Sequence, residues 1–179
     1  SSSLRGSVGR DRISWALSKG VDIVALQETR LGPDDSAGVQ SWLARRHPQY
    51  KLFTPPFSDD SSGGAVHGGV ALIYKSDVIS VSLIFHNDRA LGVACSSGGQ
   101  SFGLVNLYAQ SGHATLHAAA RSQLFAWIRQ EIASYAADTT SISGFIVMGD
   151  FNMVSDRSRD AFSSRGQPSS RLMGDEISQ

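Results

Sequence analysis

The stretch "VMGDFNMVSD", Val147 to Asp156, places an apolar run directly before Asp150 and Asn152. A carboxylate at the end of a buried strand must be solvated, paired or bound to a metal, because an isolated buried charge is costly. Alternation along a strand directs Asp150 and Asn152 to one side and Phe151 to the other. We therefore predict a polar site at this strand end, with a turn in which Asn152 merely caps the strand as the alternative.

A second apolar run also ends in an acid. In "VDIVALQE", Val21 to Glu28, the apolar residues run nearly unbroken from Ile23 to Leu26, which is typical of a strand covered on both faces. Either acid alone would be read as a solvated strand end or a helix cap. Two such ends indicate a shared site.

Composition limits the class of protein. With 179 residues, 41% of them hydrophobic, residues 1–179 are predicted to form a single domain. The 16 basic and 16 acidic residues balance, so no global positive field announces a nucleic-acid partner. A lone cysteine, Cys95, excludes an intramolecular disulfide, fits a reducing compartment, and is expected to be buried.

Targeting signals are not evident in the sequence. No apolar run approaches the roughly 20 residues of a membrane helix, and the N-terminal stretch lacks the apolar core of a signal peptide. We therefore expect an intracellular protein without a membrane partner, and no protein partner is evident.

Periodicity predicts the order of the elements. Short helices are expected over "DRISWALSK" and "VQSWLARR", and a long helix is expected from near Thr115, with a stripe that starts at Leu116. Between them, "YKLFT", "GGVALIYK", "VISVSLIF", "ALGVACS" and "SFGLVNLY" predict a largely antiparallel series of strands. The final strand is "GFIVMGD". This order favours an α/β fold in which sheet packs on sheet with the helices outside.

Four motifs carry a resemblance to a known family: "LQET" at Leu26–Thr29, "GGVALIY" at Gly68–Tyr74, "NLYAQSG" at Asn106–Gly112 and "GDFN" at Gly149–Asn152. Their order and approximate spacing resemble the endonuclease/exonuclease/phosphatase superfamily. The sequence around them, including "RDRISWAL", is most similar to the endonuclease domains of LINE-type retrotransposons. The resemblance implies a deoxyribonuclease I-like fold, a two-sheet β-sandwich flanked by helices in four α/β/β/α layers.

The same resemblance implies an activity. Endonucleases of the retrotransposon branch are magnesium-dependent phosphodiesterases that nick DNA by attack of an activated water. The resemblance therefore implies this activity here, with the nucleus as its site of action. Two alternatives stay open. One is a catalytically inactive fragment or remnant with at most weak DNA or partner binding. The other is an abasic-site endonuclease or another phosphodiesterase of the superfamily.

Four residues of these motifs have roles implied by the resemblance. Glu28 corresponds to the magnesium ligand, with manganese as an alternative, since a carboxylate suits a hard cation that keeps several waters. Asp150 corresponds to the acid that orients or deprotonates the attacking water. Asn152 corresponds to an amide that donates hydrogen bonds to the phosphate. Tyr108 corresponds to a tyrosine near the scissile phosphate, although a tyrosine ending a strand is commonly a core edge residue.

Three further residues are candidates for phosphate contacts. Asn106 lies two residues before Tyr108, on the same face of the strand. Ser111 stands where the retrotransposon branch usually has an asparagine, and it has a shorter reach and no amide. His113 follows the "NLYAQSG" strand, although a solvated loop histidine is the plainer interpretation.

The sequence also departs from the family pattern. Ser2 falls where the family's first strand carries an asparagine that helps to hold the metal, and no Ser-Asp-His motif follows "GDFN". We therefore expect an incomplete domain that lacks the family's first strand and its C-terminal Ser-Asp-His region. Such a domain should present unpaired sheet edges.

Overall fold

The computed structural model describes residue 4 and residues 6–56, 69–112, 115–139 and 141–153. Its helices are α1 Ser7–Leu17, α2 Pro33–Arg46 and α3 Thr115–Asp138. Its strands are β1 Ile23–Gln27, β2 Tyr50–Phe53, β3 Val70–Lys75, β4 Ser80–Asn87, β5 Ala90–Ser97, β6 Gln100–Tyr108 and β7 Phe145–Asp150. Every helix and strand expected from periodicity is therefore present.

Helix α2 begins six residues before the predicted stretch, because its start is set by capping rather than by its apolar face. Pro33 occupies the first turn, where its fixed φ suits a helix and its missing N–H costs nothing. The Asp35 carboxylate accepts a hydrogen bond from the Gly32 N–H at 3.1 Å. Acids in the first turn and Arg45 and Arg46 in the last turn complement the helix dipole.

The strands form two sheets. The first has the order β1-β3-β2, and both of its pairings are antiparallel. The second has the order β4-β5-β6-β7, in which β4, β5 and β6 form an antiparallel meander and β7 runs parallel to β6. A parallel neighbour requires a crossover, and α3 supplies it. The predicted antiparallel series is thus confirmed, with one parallel addition.

Alternation along the strands separates three apolar clusters. Val70 and Leu72 of β3 join Leu91, Val93 and Leu104 in the layer between the sheets. Ile73, on the other face of β3, packs with residues of α1 and α2. The opposite face of the four-stranded sheet packs against α3. These layers confirm the α/β/β/α sandwich flanked by helices.

Three positions that were expected to be buried are buried, and a fourth is exposed. Cys95 lies fully buried between the sheets, and burial raises the pKa of its thiol to about 11. Leu124 and Ile128 of α3 are buried as predicted. Leu116 is 77% exposed, so the apolar stripe of α3 begins later than the sequence pattern indicated. Among the described residues, no helix is long and apolar enough to cross a membrane.

Strand β7 is the main surprise in burial. Its apolar sequence predicted a buried strand, yet Ile146 is 50% exposed and Val147 is 41% exposed. The physical reason is its place in the sheet: β7 pairs with β6 on one side, and within the described ranges no strand pairs with its other edge. Within the described ranges, β7 is therefore an edge strand, and it is the strand that carries Asp150.

Candidate active site

The ends of β6 and β7 bring two of the predicted site residues side by side. In the parallel pairing of these strands, Tyr108 is in register with Asp150. The Ala109 N–H donates a hydrogen bond to the Asp150 carbonyl oxygen at 2.8 Å, which extends the pairing one step past Tyr108. The two side chains therefore lie on neighbouring strands at the same edge of the sheet.

Glu28 reaches this edge from the other sheet. It follows β1 directly, is exposed, and adopts a left-handed backbone conformation with φ 52°. The Tyr108 hydroxyl donates a hydrogen bond to Glu28 Oε1. This contact joins the end of the three-stranded sheet to the end of the four-stranded sheet, and it brings together three residues that the sequence placed in one site: Glu28, Tyr108 and Asp150.

The surroundings of the Tyr108 phenol keep it protonated. The hydrogen bond to Glu28 raises the phenol pKa above its ordinary value, and partial burial and the charge of Glu28 act in the same direction. The positive charge of Arg89 and a hydrogen-bonding interaction with Ser111 oppose this shift. At neutral pH the hydroxyl is therefore a proton donor to an oxygen, not a phenolate.

The stretch Asp150–Asn152 forms a tight turn at the strand end. The Asn152 N–H donates to Asp150 Oδ1 at 2.9 Å, and the Asn152 side-chain amide donates to the Ala109 carbonyl oxygen at 2.7 Å. Asn152 has φ 48°, a left-handed conformation that asparagine tolerates better than most residues. Phe151 points to the other side, as alternation predicts, and its ring centroid lies 6.0 Å from that of Phe125 on α3, but 39% of the residue stays exposed.

A turn was the alternative interpretation of Asn152, and the turn is present. Asp150, rather than Asn152, supplies the side-chain acceptor that closes it. The Asn152 amide fixes the turn to the end of β6 with one N–H. A primary amide carries two N–H donors, so the same side chain retains one for a ligand.

Asn106 is placed differently from a phosphate contact. Its side chain is 0% exposed, and its amide nitrogen donates to the Leu26 and Ala71 carbonyl oxygens at 2.9 Å and 3.0 Å. Its Oδ1 accepts a hydrogen bond from Gln27 Nε2 at 2.7 Å. Both amide hydrogens are thus committed inside the protein, and the arrangement leaves Asn106 no donor for a phosphate.

The loop after β6 carries Ser111, and a buried arginine of α3 hydrogen-bonds to its main chain. The Arg121 side chain on α3 is 3% exposed, and its Nη1 donates to the Gln110 and Gly112 carbonyl oxygens, each at 3.0 Å. Ser111 itself is exposed and interacts with the Tyr108 phenol, so it does lie at the site. His113 and Ser2 lie outside the described residues.

Arg89 is a site residue that sequence reasoning missed. Its guanidinium lies 5.4 Å from the Tyr108 ring centroid, and Nη1 donates to the Tyr108 carbonyl oxygen at 3.4 Å. The Asn87 side chain shapes the preceding turn by accepting the N–H groups of Arg89 and Ala90, both at 2.8 Å. The sequence signal for Arg89 was the turn sequence "HND", residues 86–88, directly before it. A turn of this kind fixes the direction of the residue that follows.

The residues present fit a hard divalent cation with few protein ligands. Within the described residues, no three or more His, Cys, Asp and Glu side chains are grouped so as to hold a metal ion. Mg²⁺ does not need such a group, because it is commonly bound through one or two carboxylates and keeps several waters. Glu28 offers an exposed carboxylate whose contacting neighbour, Tyr108, is also an oxygen group. This donor chemistry suits Mg²⁺ or Mn²⁺ better than a soft metal.

Comparison with known protein families gives a match over most of the chain. The sequence profile of the Endonuclease/Exonuclease/phosphatase family matches residues 13–172. The chain belongs to the endonuclease/exonuclease/phosphatase family. Family membership agrees with the fold, and enzymes of this family are in general hydrolytic nucleases and phosphatases that use divalent metals.

Solved structures support the fold of this family member. A humanised TDP2 of D. rerio matches with TM-score 0.56 and 19% identity over 85% of this chain and 56% of that chain. The human nocturnin catalytic domain matches with TM-score 0.54 and 19% identity over 84% of this chain and 57% of that chain. The 3′ phosphatase NExo of Neisseria, bound to a DNA hairpin, matches with TM-score 0.50 and 20% identity over 82% of this chain and 54% of that chain.

These likenesses are similarities of fold, because the sequence identities are low. The chain spans about half the length of the solved structures it matches. No curated protein sequence matches it significantly. The function of this endonuclease/exonuclease/phosphatase family member therefore has to be argued from its own site.

Proposed function

We propose that this protein is a magnesium-dependent endonuclease that nicks DNA by attack of an activated water on a phosphodiester, as retrotransposon endonucleases do at their target sites. One observation carries the proposal. Glu28, Tyr108, Asp150 and Asn152 come from two sheets, and hydrogen bonds and strand register bring them to one edge.

Each side chain has a task that its surroundings allow. The Asp150 carboxylate is exposed at the strand end, where it can orient a water and accept its proton. The remaining N–H of the Asn152 amide donates to a phosphate oxygen as negative charge develops there. The Tyr108 phenol, kept protonated by its neighbours, donates its single O–H to Glu28 and so fixes that carboxylate beside the phosphate.

The cation has a limited part in this account. Glu28 is the residue that would hold it, and when bound it would act as a Lewis acid on the phosphate and stabilise the leaving oxygen. Arg89 lies behind Tyr108 and adds a positive charge that favours an anionic substrate at this edge.

DNA as the substrate rests on two further supports. The motif wording resembles the retrotransposon branch, and fold relatives include D. rerio TDP2 complexed with single-strand DNA product and NExo bound to product DNA hairpin. A retrotransposon endonuclease acts on chromosomal DNA, so the proposal also places the activity in the nucleus.

Nicking of supercoiled plasmid tests the proposal. The purified chain is assayed with Mg²⁺ and with chelator, beside Asp150→Ala and Glu28→Gln. We expect nicking that requires the cation and is lost in both variants. Gln40→Met, on the far side of the three-stranded sheet, serves as a folded control and should nick like the parent chain.

The substrate panel separates this proposal from its alternatives. Intact plasmid, a duplex with an abasic site and an inositol phosphate are compared at equal enzyme concentration. Preference for intact DNA supports the proposal, and activity confined to abasic DNA or to the inositol phosphate contradicts it. No turnover of any substrate by chain shown to be folded would favour a non-catalytic remnant.

A further inference from the structure

Two amide side chains, Gln27 of the three-stranded sheet and Asn106 of the four-stranded sheet, meet in the layer between the sheets. We refer to this pair as the amide clasp. Gln27 Nε2 donates to Asn106 Oδ1 at 2.7 Å. Asn106 Nδ2 donates to the Leu26 carbonyl oxygen at 2.9 Å and to the Ala71 carbonyl oxygen at 3.0 Å. The clasp therefore ties β6 to both β1 and β3.

An amide at this place is not what packing alone would select. Asn106 is 0% exposed, and its neighbours on the same face, such as Leu104, belong to the apolar cluster between the sheets. Burying an amide costs free energy unless its hydrogen bonds are made, and their net gain is then modest. An apolar side chain of similar volume would fill the layer as well. The clasp is therefore better explained by the geometry that it fixes than by stability.

The clasp holds the chain immediately before Glu28. Gln27 precedes Glu28 directly, and the Leu26 carbonyl oxygen is one residue further back. Just after Glu28, the Thr29 N–H donates to the Gly69 carbonyl oxygen at 3.1 Å. Glu28 thus sits between two fixed points, each held by a bond to another strand or its approach.

These two fixed points are important because Glu28 has a strained backbone. Its φ of 52° lies in the left-handed region, which a glutamate adopts at some cost and keeps where the surrounding structure over-determines it. Without the clasp, the end of β1 could relax toward an extended conformation. The Glu28 carboxylate would then swing away from Tyr108, two residues beyond Asn106 on β6.

We propose that Gln27 and Asn106 are positioning residues that set the Glu28 carboxylate relative to Tyr108 and Asp150, and so determine cation affinity at this site. The inference rests on the proposed function, since it concerns the same site. It extends it by assigning cation affinity to a buried contact that touches neither the cation nor DNA. Outer groups that orient a metal ligand typically contribute about ten- to a hundredfold in affinity or activity.

Direct Mn²⁺ binding to the full chain, measured from the free-ion electron paramagnetic resonance signal, tests the clasp. The variant is Gln27→Met, which keeps the length of a half-buried side chain and removes its hydrogen bonds. Its matched control is Gln40→Met, also half-buried, whose amide oxygen accepts the Leu52 N–H at 2.8 Å far from the site. Thermal melts and DNA binding in chelator are measured for each protein.

We expect Gln27→Met to weaken Mn²⁺ binding about tenfold. Its DNA affinity in chelator should stay within about twofold, and Gln40→Met should match the parent in both assays. Unchanged Mn²⁺ affinity in folded Gln27→Met overturns the clasp while leaving the proposed function intact. Equal weakening in Gln40→Met also overturns it, since general destabilisation would then explain the loss. Parent chain that binds no Mn²⁺, or binds it equally well after Glu28→Gln, overturns the proposed metal site and the clasp together.

Discussion

The strand ends that carry Glu28 and Asp150 are alike in sequence and differ in their support. Both acids follow an apolar run, and both lie at the same edge of the sandwich. The chain at Glu28 is held on one side by the hydrogen bonds of Leu26 and Gln27 with Asn106 on β6, and on the other side by the hydrogen bond from the Thr29 N–H to the Gly69 carbonyl oxygen before β3. Asp150 closes a local turn at the end of an edge strand whose apolar residues are half exposed.

Strand β6 accounts for the relation between these two ends. Its Asn106 contacts β1, and its Tyr108 contacts Glu28 directly after β1. Ala109, directly after β6, contacts the Asp150–Asn152 turn through its main chain. Strand β6 thus fixes the positions of Glu28 and Asp150, which come from different sheets, relative to each other. The comparison teaches that the site depends on the central strand, and it predicts that the two ends respond differently to substitution.

The largest effect is expected at Asp150, where a side chain has both a chemical and a structural task. Asp150→Asn keeps an oxygen that can accept the Asn152 N–H but removes the carboxylate, whereas Asp150→Ala removes both. Loss of a general base typically costs about a thousandfold, so plasmid nicking should fall by about that factor in both variants. The melting temperature should fall only in Asp150→Ala. Full activity in Asp150→Asn would contradict the role as base.

Asn152 is expected to show the next largest effect, and its backbone allows a clean separation. Because its φ is 48°, glycine at this position keeps the turn, whereas alanine strains it. We expect Asn152→Gly to lower the nicking rate about a hundredfold through loss of a phosphate donor. Stability should fall slightly in Asn152→Gly, which loses the amide hydrogen bond to the Ala109 carbonyl oxygen, and should fall further in Asn152→Ala, which also strains the turn. Near-normal nicking in Asn152→Gly would leave Asn152 as a turn residue alone.

Much of this comparison was accessible from the sequence, and the reasons are physical. Period-2 and helical patterns predict which segments become strands and helices, because local burial imposes them. The sequence also put Glu28, Tyr108 and Asp150 in one site through their motifs. The prediction that β7 is buried was wrong. An apolar strand has the same sequence pattern whether one or two strands pair with it, and its exposure depends on its place in the sheet.

The amide clasp and Arg89 could not be predicted in the same way. Gln27 and Asn106 are separated by 79 residues, and nothing local indicates that their amides meet. Asn106 looked like a phosphate contact because it shares a face with Tyr108, yet that face is buried two residues before the sheet ends. Alternation predicts the face of a strand, but the distance to solvent depends on how far the opposite sheet extends.

Two glycines at the ends of β7 differ in the space around them: Gly149 is crowded, whereas Gly144 is not. Gly149 has φ 137°, and a Cβ there would lie 2.0 Å from the Leu107 carbonyl oxygen. Gly144, before the strand, has no atom within 4 Å of such a Cβ. We expect Gly149→Ala to lower the free energy of unfolding by about 2–4 kcal/mol and to reduce nicking, since strain and a clash combine. Gly144→Ala should be close to neutral in urea unfolding, and equal losses in both variants would mean that β7 is not held against β6 as described.

The smallest effect expected is chemical, and it contrasts the sealed layer between the sheets with the open edge at β7. Cys95 is fully buried, and burial raises the pKa of its thiol to about 11, so at pH 8 it is protonated and shielded. Its contribution to stability is present below the unfolded-state pKa, near 9, and is lost as pH rises through about 11. Native chain should therefore react slowly with iodoacetamide at pH 8 and fully in urea. Val147→Cys in a Cys95→Ala background should react quickly without denaturant, because Val147 is 41% exposed. Fast labelling of native Cys95 would mean that the sandwich opens on the time scale of the reaction, and the layer that holds Asn106 would then be no more rigid than the edge it is contrasted with.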